Sequence, residues 1–401
     1  MPRGGTAAPQ EGASAAAWRD LAGQFQLPPN LFYFNTAGLG ASPRAVTDRV
    51  KAMMDREEEA PAPGHHEEDW LRIRGKCARL LGPSCQASEI ALVSCATEGL
   101  NTILNGLPMG PGDEVVTSTH EHPALVIPLL HKIKTAGISV RTFEPDLKSP
   151  SRTLQLLEAQ LTSRTRLIIV SHVTCTTGQV YPVAAIGRLA AERRIWFALD
   201  GAQSLAQFPI DIASSGAHFY TASAHKFLMA PKRTGILYVR QDAIHTLVPT
   251  IVGAYSDQET SLAERRLTLR ANAQRYEYGT QNDAQIYGLE AALDFVERLG
   301  LAHVWEHNRR LADVCLEGLR PIPGVELLSP PDGASRSAMV TFRLVGRDNR
   351  EVANMITRRR HRVRSVTEGG LDAVRASFHV CNTEEQVREM VHAVEDIADG
   401  E

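Results

Sequence analysis

Apolar residues fall into two rhythms along this chain. From Glu89 onward, short runs of consecutive apolar positions alternate with stretches whose apolar positions recur every three to four residues. EIALVS, DEVVTST, ISVRTFE, RLIIVSHV and IWFALD belong to the first kind and predict strands. CATEGLNTILNGL, HPALVIPLLHKIKTAG, LQLLEAQLT and VAAIGRLAAERR lie between them and predict helices, the second stopped by glycine. Strands without a polar face, separated by amphipathic helices, predict a largely parallel sheet covered on both sides, an α/β domain.

Two more strand-like runs, HFYTA and GILYV, enclose Ser223, Ala224, His225 and Lys226. A lysine in a turn between buried strands is poorly hydrated, which disfavours its ammonium form and leaves the neutral amine that carbonyl chemistry needs. A loop lysine that reaches back to water fits this segment equally well.

The flanks are less regular. A short helix near Trp18 precedes LFYFNTAGLGASP, a strand entering a glycine-rich turn stopped by Pro43, and residues 45–58 form an amphipathic pattern. PAPGHHEEDW opens the next helix. Its His65, His66, Glu67, Glu68 and Asp69 are neighbours in sequence, so on a helix they point in different directions and predict a solvated helix entry, with no metal. The polar stretch SDQETSLAERRLTLRANAQRYEYGTQND breaks the alternation, and two helices follow, AQIYGLEAALDFVERLG and AHVWEHNRRLADVCLEGLR. Strands AMVTFRLV, HRVRSV and VRASFHV then alternate with helices REVANMITRRR, capped by Asp348 or Asn349, and TEEQVREMVHAVEDIA, opened by a Thr383–Gln386 capping box. The expected division is a disordered tail over 1–17, an N-terminal segment over 18–50 packing with the small domain, a large domain over 51–285 and a small α+β domain over 286–401.

Composition narrows the function. The chain has 401 residues, 43% hydrophobic and 22% charged, with a net charge of −3, which is ordinary for a globular protein and wrong for a nucleic-acid or membrane-surface binder. Arg358, Arg359, Arg360, His361 and Arg362 read as cations offsetting a helix C-terminus. No apolar run approaches the roughly 20 residues that span a bilayer. The six cysteines are scattered without metal-ligand spacing, as expected of a reduced cytoplasmic protein.

In open α/β sheets, ligands bind at the carboxyl ends of strands. After EIALVS, the helix opening Cys95-Ala96-Thr97-Glu98-Gly99 offers free N–H groups and a hydroxyl to an anion, or Thr97 simply caps the helix. After IWFALD come Asp200, Gly201, Ala202 and Gln203. A carboxylate ending a buried strand is costly unless it meets a cation or caps a turn. An anion pocket, a strand-end carboxylate and a buried lysine are together what pyridoxal phosphate requires.

With these motifs in order, and DGAQS, SAHK, ATEG and GTQND among them, the sequence resembles the class V aminotransferase family of fold-type I pyridoxal-phosphate enzymes. The branch it looks most like holds cysteine desulfurases, selenocysteine lyases and isopenicillin N epimerase-like proteins. The resemblance implies a large domain with a mostly parallel seven-stranded sheet plus the small C-terminal domain. It implies that Lys226 forms the Schiff base, Asp200 pairs with the pyridinium nitrogen and Gln203 bonds the ring oxygen. Ala96, Thr97, Ser223 and His225 would hold the phosphate, and His122 would stack over the ring as a catalytic residue. Thr280 would reach the phosphate of the other subunit in a homodimer. Arg375 would hold the substrate carboxylate, a task suited to a bidentate guanidinium. Asn35 and Ala37 would line the substrate side.

Two departures bear on the reaction. Cys175 stands where desulfurases have asparagine, as a small residue beside the ring or as a thiol that touches cofactor or substrate. The loop at 367–372, TEGGLD, lacks the nucleophilic cysteine that desulfurases carry there, which disfavours persulfide formation on the enzyme. The expected function is an amino-acid enzyme working through an external aldimine and α-proton abstraction, a C–S β-lyase on a cysteine-derived substrate. An epimerase or an aminotransferase is the alternative, and a silent binding protein on the same fold is a third reading.

Overall fold

The computed structural model describes residues 15–61, 66–331 and 333–400, so most of the expected tail, and His65, lie outside the described residues. The chain begins with α1 (Ala15–Ala22), the two-residue strand β1 (Phe32–Tyr33) and helices α2 (Arg44–Glu59) and α3 (Glu67–Leu80). Strict alternation follows through β2 (Ile90–Val93), α4 (Ala96–Gly106), β3 (Glu114–Ser118), α5 (Pro123–Ala136) and β4 (Ser139–Phe143). It continues with α6 (Pro150–Glu158), β5 (Thr165–Ser171), α7 (Val183–Glu192) and β6 (Trp196–Asp200). The short α8 (Ile212–Ser215) leads to β7 (Phe219–Ser223) and β8 (Gly235–Val239).

These strands form one seven-stranded sheet in the order β2-β8-β7-β6-β5-β3-β4. β8 runs antiparallel to both its neighbours and the remaining pairings are parallel, as the unbroken apolar runs predict. Local sequence signals set the helix limits. α5 starts where the His122 ring accepts the N–H of Ala124 and Pro123 takes the first position, and it ends at Gly137 with φ 66°. α4 lies directly on β7, because a Cβ at Gly99 would come within 2.0 Å of Thr221 Oγ1.

The polar interruption contains an antiparallel hairpin, β9 (Asp257–Ser261) and β10 (Arg266–Leu269). Sequence patterning missed it because most of its side chains face solvent and no apolar face marks the period. Helix α9 (Asp283–Leu299) packs along α2, and its Leu289 and Leu293 belong to the core beneath the large sheet. Helix α10 (Leu301–Leu319) crosses to a second core, where Leu311, Cys315 and Leu319 meet Phe34.

That second core lies on an antiparallel sheet of β11 (Val325–Leu327), β12 (Met339–Leu344), β14 (Arg364–Val366) and β15 (Ala373–Ser377), in the order β11-β12-β15-β14. It is covered by α11 (Asn349–Arg358) and α12 (Glu384–Asp399). Asp348 caps α11, and Thr383 and Gln386 form the expected capping box. HRVRSV, expected as one strand, is split. Its first two residues form β13 (His361–Arg362), which pairs with β1 and ties the N-terminal segment to the small domain, while its last three form β14 and Val363 lies between them. Among the described residues no helix is long and apolar enough to cross a membrane, and no cluster of candidate ligands could hold a metal.

Candidate active site

The carboxyl ends of β2, β5, β6 and β7 open on one cavity of about 400 Å³. Of the residues singled out from sequence, Ala37, Ala96, Thr97, His122, Cys175, Asp200, Gln203, Ser223, His225 and Lys226 line it. Gly38, Cys95, Ser171 and Arg364 join them.

On the sheet side the geometry follows from strand ends and one helix. Asp200 is the last residue of β6 and pairs in register with Ser171 of β5 and Thr221 of β7. Its carboxylate accepts the N–H of Ala202 at 2.8 Å. Burial raises its pKa, opposed by the charge of Lys226 and that N–H. Burial likewise lowers the pKa of Lys226, opposed first by Asp200. The charge of each favours the charged form of the other, while burial, the larger cause, works against both and shrinks the lysine's margin for holding its proton. Helix α4 begins with no side chain capping it, apart from Ala96 N–H, which donates to Ser223 Oγ at 3.0 Å. Its first turn therefore points N–H groups and the positive end of the helix at the cavity.

Burial favours the neutral form of His122 and His225 on this side. His122 has its pKa lowered to about 4 by burial and then by Lys226 and Arg364. Its Nδ1 accepts from Ala124 N–H at 3.0 Å, which puts the ring proton on Nε2. Burial also brings His225 down to about 4, and its Nδ1 has no partner among the described residues. Gln203 Nε2 donates to Ala37 O at 3.0 Å while its Oε1 is buried and unpartnered. Such orphaned polar atoms in a cavity mark places where a ligand completes the bonding.

The small-domain side is built differently. Arg364 and Arg375 face each other in the β14–β15 register. Arg364 lines the cavity and pairs with Glu368 of the 367–372 loop. That loop rests on the segment before His122, since a Cβ at Gly369 would lie 3.3 Å from Thr119 O and 3.5 Å from the His120 ring. Arg375 is fully buried behind the lining, where one guanidinium nitrogen donates to Cys175 O, and its Nε and Nη2 have no partner among the described residues. Burial, then Arg364, lowers its pKa to about 10. Asn35 also sits behind the lining, bridged to Ser377, with Oδ1 unpartnered. Cys175 is buried, and burial pushes its thiol up to about 12. Thr280 is exposed and belongs to a separate cavity with Lys232, Arg233 and Asn282, so within one chain it does not join the Lys226 cavity.

Arg364 and Glu121 were not legible as site residues. Glu121 lies beneath the floor, accepting from Ser118 Oγ at 2.6 Å and from Ser171 N–H and Oγ at 3.0 and 2.6 Å. Burial raises its carboxyl to about 7. Its only sequence signal was a glutamate beside His122 after a strand. Arg364 carried none, because its place opposite Arg375 depends on strand register.

A family model for class V aminotransferases matches residues 33–390. A cysteine desulfurase of Klebsiella pneumoniae subsp. pneumoniae is 32% identical over 277 residues, which are 68% of this chain and 66% of that protein. A probable cysteine desulfurase of Mycolicibacterium paratuberculosis is 29% identical over 389 residues, 92% of this chain and 56% of that protein. This chain therefore spans less than two thirds of the length of either relative. Among solved structures, the cystine C–S lyase C-DES in complex with its reaction product, cysteine persulfide, superposes with a TM-score of 0.81. It is 25% identical and covers 92% of this chain and 98% of its own. With the sheet order, the strand-end site and the match over nearly the whole described chain in agreement, this chain belongs to the class V aminotransferase family of fold-type I pyridoxal-phosphate enzymes.

Proposed function

We propose that this chain is a pyridoxal-phosphate enzyme that eliminates the β-sulfur substituent of a cysteine-derived amino acid, without a persulfide-forming cysteine of its own. The residues present suit the cofactor. The uncapped start of α4 with Ser223 and His225 would take its phosphate, and Thr97 would add a hydroxyl. Asp200 would meet the ring nitrogen, and Gln203 would hydrogen-bond the ring oxygen. Lys226 would hold the aldehyde.

When bound, the cofactor supplies a sink for the electron pair left by removal of an α-proton. The protein supplies the rest. Lys226 Nζ, whose ammonium burial disfavours, takes that proton. Asp200 would pair with the ring nitrogen and favour its protonated form; burial works against the carboxylate, and the charge of Lys226 and the Ala202 N–H work for it. His122 presents a neutral ring with Nε2–H. Arg375, with two N–H-bearing nitrogens unpartnered, would hold the substrate carboxylate, and Arg364 is the guanidinium that lines the cavity itself. Thr280, exposed and apart from Lys226, is free to complete the phosphate site of a second subunit in a homodimer.

The observation that carries the choice of reaction is the 367–372 loop. It lies over Thr119 and His120 and offers Glu368, paired with Arg364, but no thiol. Of the two cysteines that line the cavity, Cys175 has its thiol held protonated by burial, so it is a poor nucleophile at neutral pH. Cys95 sits on the α4 side, where the phosphate would bind. A relative described as a cystine C–S lyase supports the same reading.

The test is product analysis with cystine and S-substituted cysteines, on the wild type and the Cys95→Ser and Cys175→Ala variants. Pyruvate release within about threefold of wild type is expected from both variants, since neither thiol attacks sulfur. Alanine as the product, with turnover lost in one variant, would establish a desulfurase thiol. Exchange of the α-hydrogen with solvent deuterium and no pyruvate would establish the epimerase.

A further inference from the structure

The turn that carries Lys226 is held from three directions. His225 O accepts the N–H of Gly40 at 2.7 Å, Lys226 O accepts that of Met229 at 3.0 Å, and Phe227 O accepts the ring Nε2 of His379 at 2.6 Å. The middle bond belongs to the turn itself. The first comes from the N-terminal segment, whose contact is so close that a Cβ at Gly40 would lie 2.1 Å from Lys226 O. The third comes from the residues that follow β15, on the small-domain side.

His379 is built as a directed donor. It is fully buried, and its Nδ1 lies 3.3 Å from Nδ2 of Asn308 on α10. An amide nitrogen can only donate, so Nδ1 accepts and the ring proton sits on Nε2, aimed at Phe227 O. Burial lowers the imidazole pKa to about 4, which keeps it neutral and in this one tautomer at ordinary pH. Its own backbone is fixed as well. His379 N–H donates to Asn382 Oδ1 at 3.0 Å, and Asn382 Nδ2 donates to Tyr33 O at 3.0 Å. A chain of bonds thus runs from β1 and α10 through His379 to the peptide beside Lys226.

We propose that His379, with its tautomer set by Asn308, is a positioning residue that fixes the Phe227 peptide and thereby aims Lys226 Nζ between Asp200 and the substrate. The proposal rests on the reading of Lys226 as the cofactor-bearing lysine. Its physical basis is leverage. The carbonyl that His379 grips lies in the Phe227–Leu228 peptide, one residue beyond Lys226 and inside the turn closed by the Met229 N–H to Lys226 O bond, so releasing it loosens the turn that carries the lysine, and small misplacements of a catalytic group are expensive. The competing explanation is a histidine satisfied within the core, packed on the Phe227 ring at 5.6 Å.

The two differ in what the resting holoenzyme reports. The experiment compares wild type, His379→Leu, His379→Gln and Asn308→Leu by thermal melting, by the pH midpoint of the cofactor's visible absorbance change, and by kcat and KM. In His379→Leu the midpoint is expected to move by about one pH unit and kcat to fall about tenfold to hundredfold, with KM within about twofold. His379→Gln, whose amide can still donate, is expected to recover most of both. Asn308→Leu leaves the ring in place but releases its tautomer, and is expected to show a smaller shift in the same direction. It serves as the deciding variant if His379→Leu does not fold. A folded His379→Leu, or failing that Asn308→Leu, with the wild-type midpoint and kcat overturns the proposal, as does a Gln variant no better than Leu. A wild type that acquires no absorbance with pyridoxal phosphate overturns the reading of Lys226 and the proposal with it, whereas a coloured wild type with unaltered variants overturns this proposal alone.

Discussion

The two walls of the Lys226 cavity are built on different principles. The sheet wall consists of strand ends and one helix start, with Asp200, Ser223 and the lysine turn fixed by neighbouring strands that are buried and hydrogen-bonded along their length. The small-domain wall consists of side chains brought in by antiparallel strands far along the sequence, Arg364 and Arg375, and by the 367–372 loop. In the first wall nearly every polar group has a protein partner or faces the cavity. In the second, Arg375 is buried with two nitrogens unsatisfied, and Arg364 is held by a glutamate on a loop. A rigid backbone frame suits groups that perform the same proton chemistry for every substrate. An adjustable set of guanidinium groups suits recognition, where unsatisfied donors gain most from an incoming carboxylate.

If that contrast holds, variants in the two walls fail differently. Lys226→Ala is expected to show the largest effect, a loss of at least about 10³-fold in kcat together with loss of the visible absorbance of the lysine-bound cofactor. Turnover within tenfold of wild type would place the chemistry elsewhere. Asp200→Asn should cost about 10²-fold to 10³-fold in the rate of α-hydrogen exchange, measured by deuterium incorporation, while substrate affinity changes little. Arg375→Gln and Arg364→Gln should do the reverse, raising KM about tenfold to hundredfold with a smaller change in kcat. A kcat effect as large as that of Asp200→Asn would erase the distinction between the walls.

The smallest effect is one both walls share. His122 and His225 on the sheet side, and His361 and His379 on the other, have pKa values lowered to about 4 by burial. Between their ordinary value near 6.5 and about 4, the unfolded chain binds protons that the folded chain does not, so stability falls as pH drops through that window. Glu121 works in the opposite sense. Its carboxyl, raised to about 7, is protonated in the fold at pH values where an unfolded glutamate has already ionised, so its contribution is lost as pH rises from about 4.5 to about 7. The melting temperature should therefore drop by a few degrees between pH 6.5 and pH 4.5, and Glu121→Gln should steepen that drop. A melting temperature that rises on acidification would count against neutral buried histidines.

Legibility in the sequence followed the same division. β2, β3, β5, β6, β7 and β8, and the helices between them, were readable because each is a short apolar run or a helical stripe bounded by its own caps and glycines. The residues at their ends followed automatically, which is why Asp200, Ser223, His225 and Lys226 were found together. The β9–β10 hairpin was missed because it has no buried face, and HRVRSV was read as one strand because nothing local says that two of its residues pair with β1. Arg364 and Glu121 were missed for a similar reason. Their partners, Arg375 and Ser171, lie in other strands at a register the sequence does not write down.

The sequence by itself determined the alternation of the large sheet, the lysine turn and the absence of cysteine from the 367–372 loop, because each depends on residues adjacent in the chain. The tertiary structure alone decided that Arg364 rather than Arg375 lines the cavity, that Glu121 lies under its floor, and that Gly40 and His379 grip the lysine turn from two distant segments. Those relations depend on which strands pair, in what register, and on which carbonyls remain to be satisfied after the sheets have formed, and long-range pairing of that kind is set by packing rather than by local propensity.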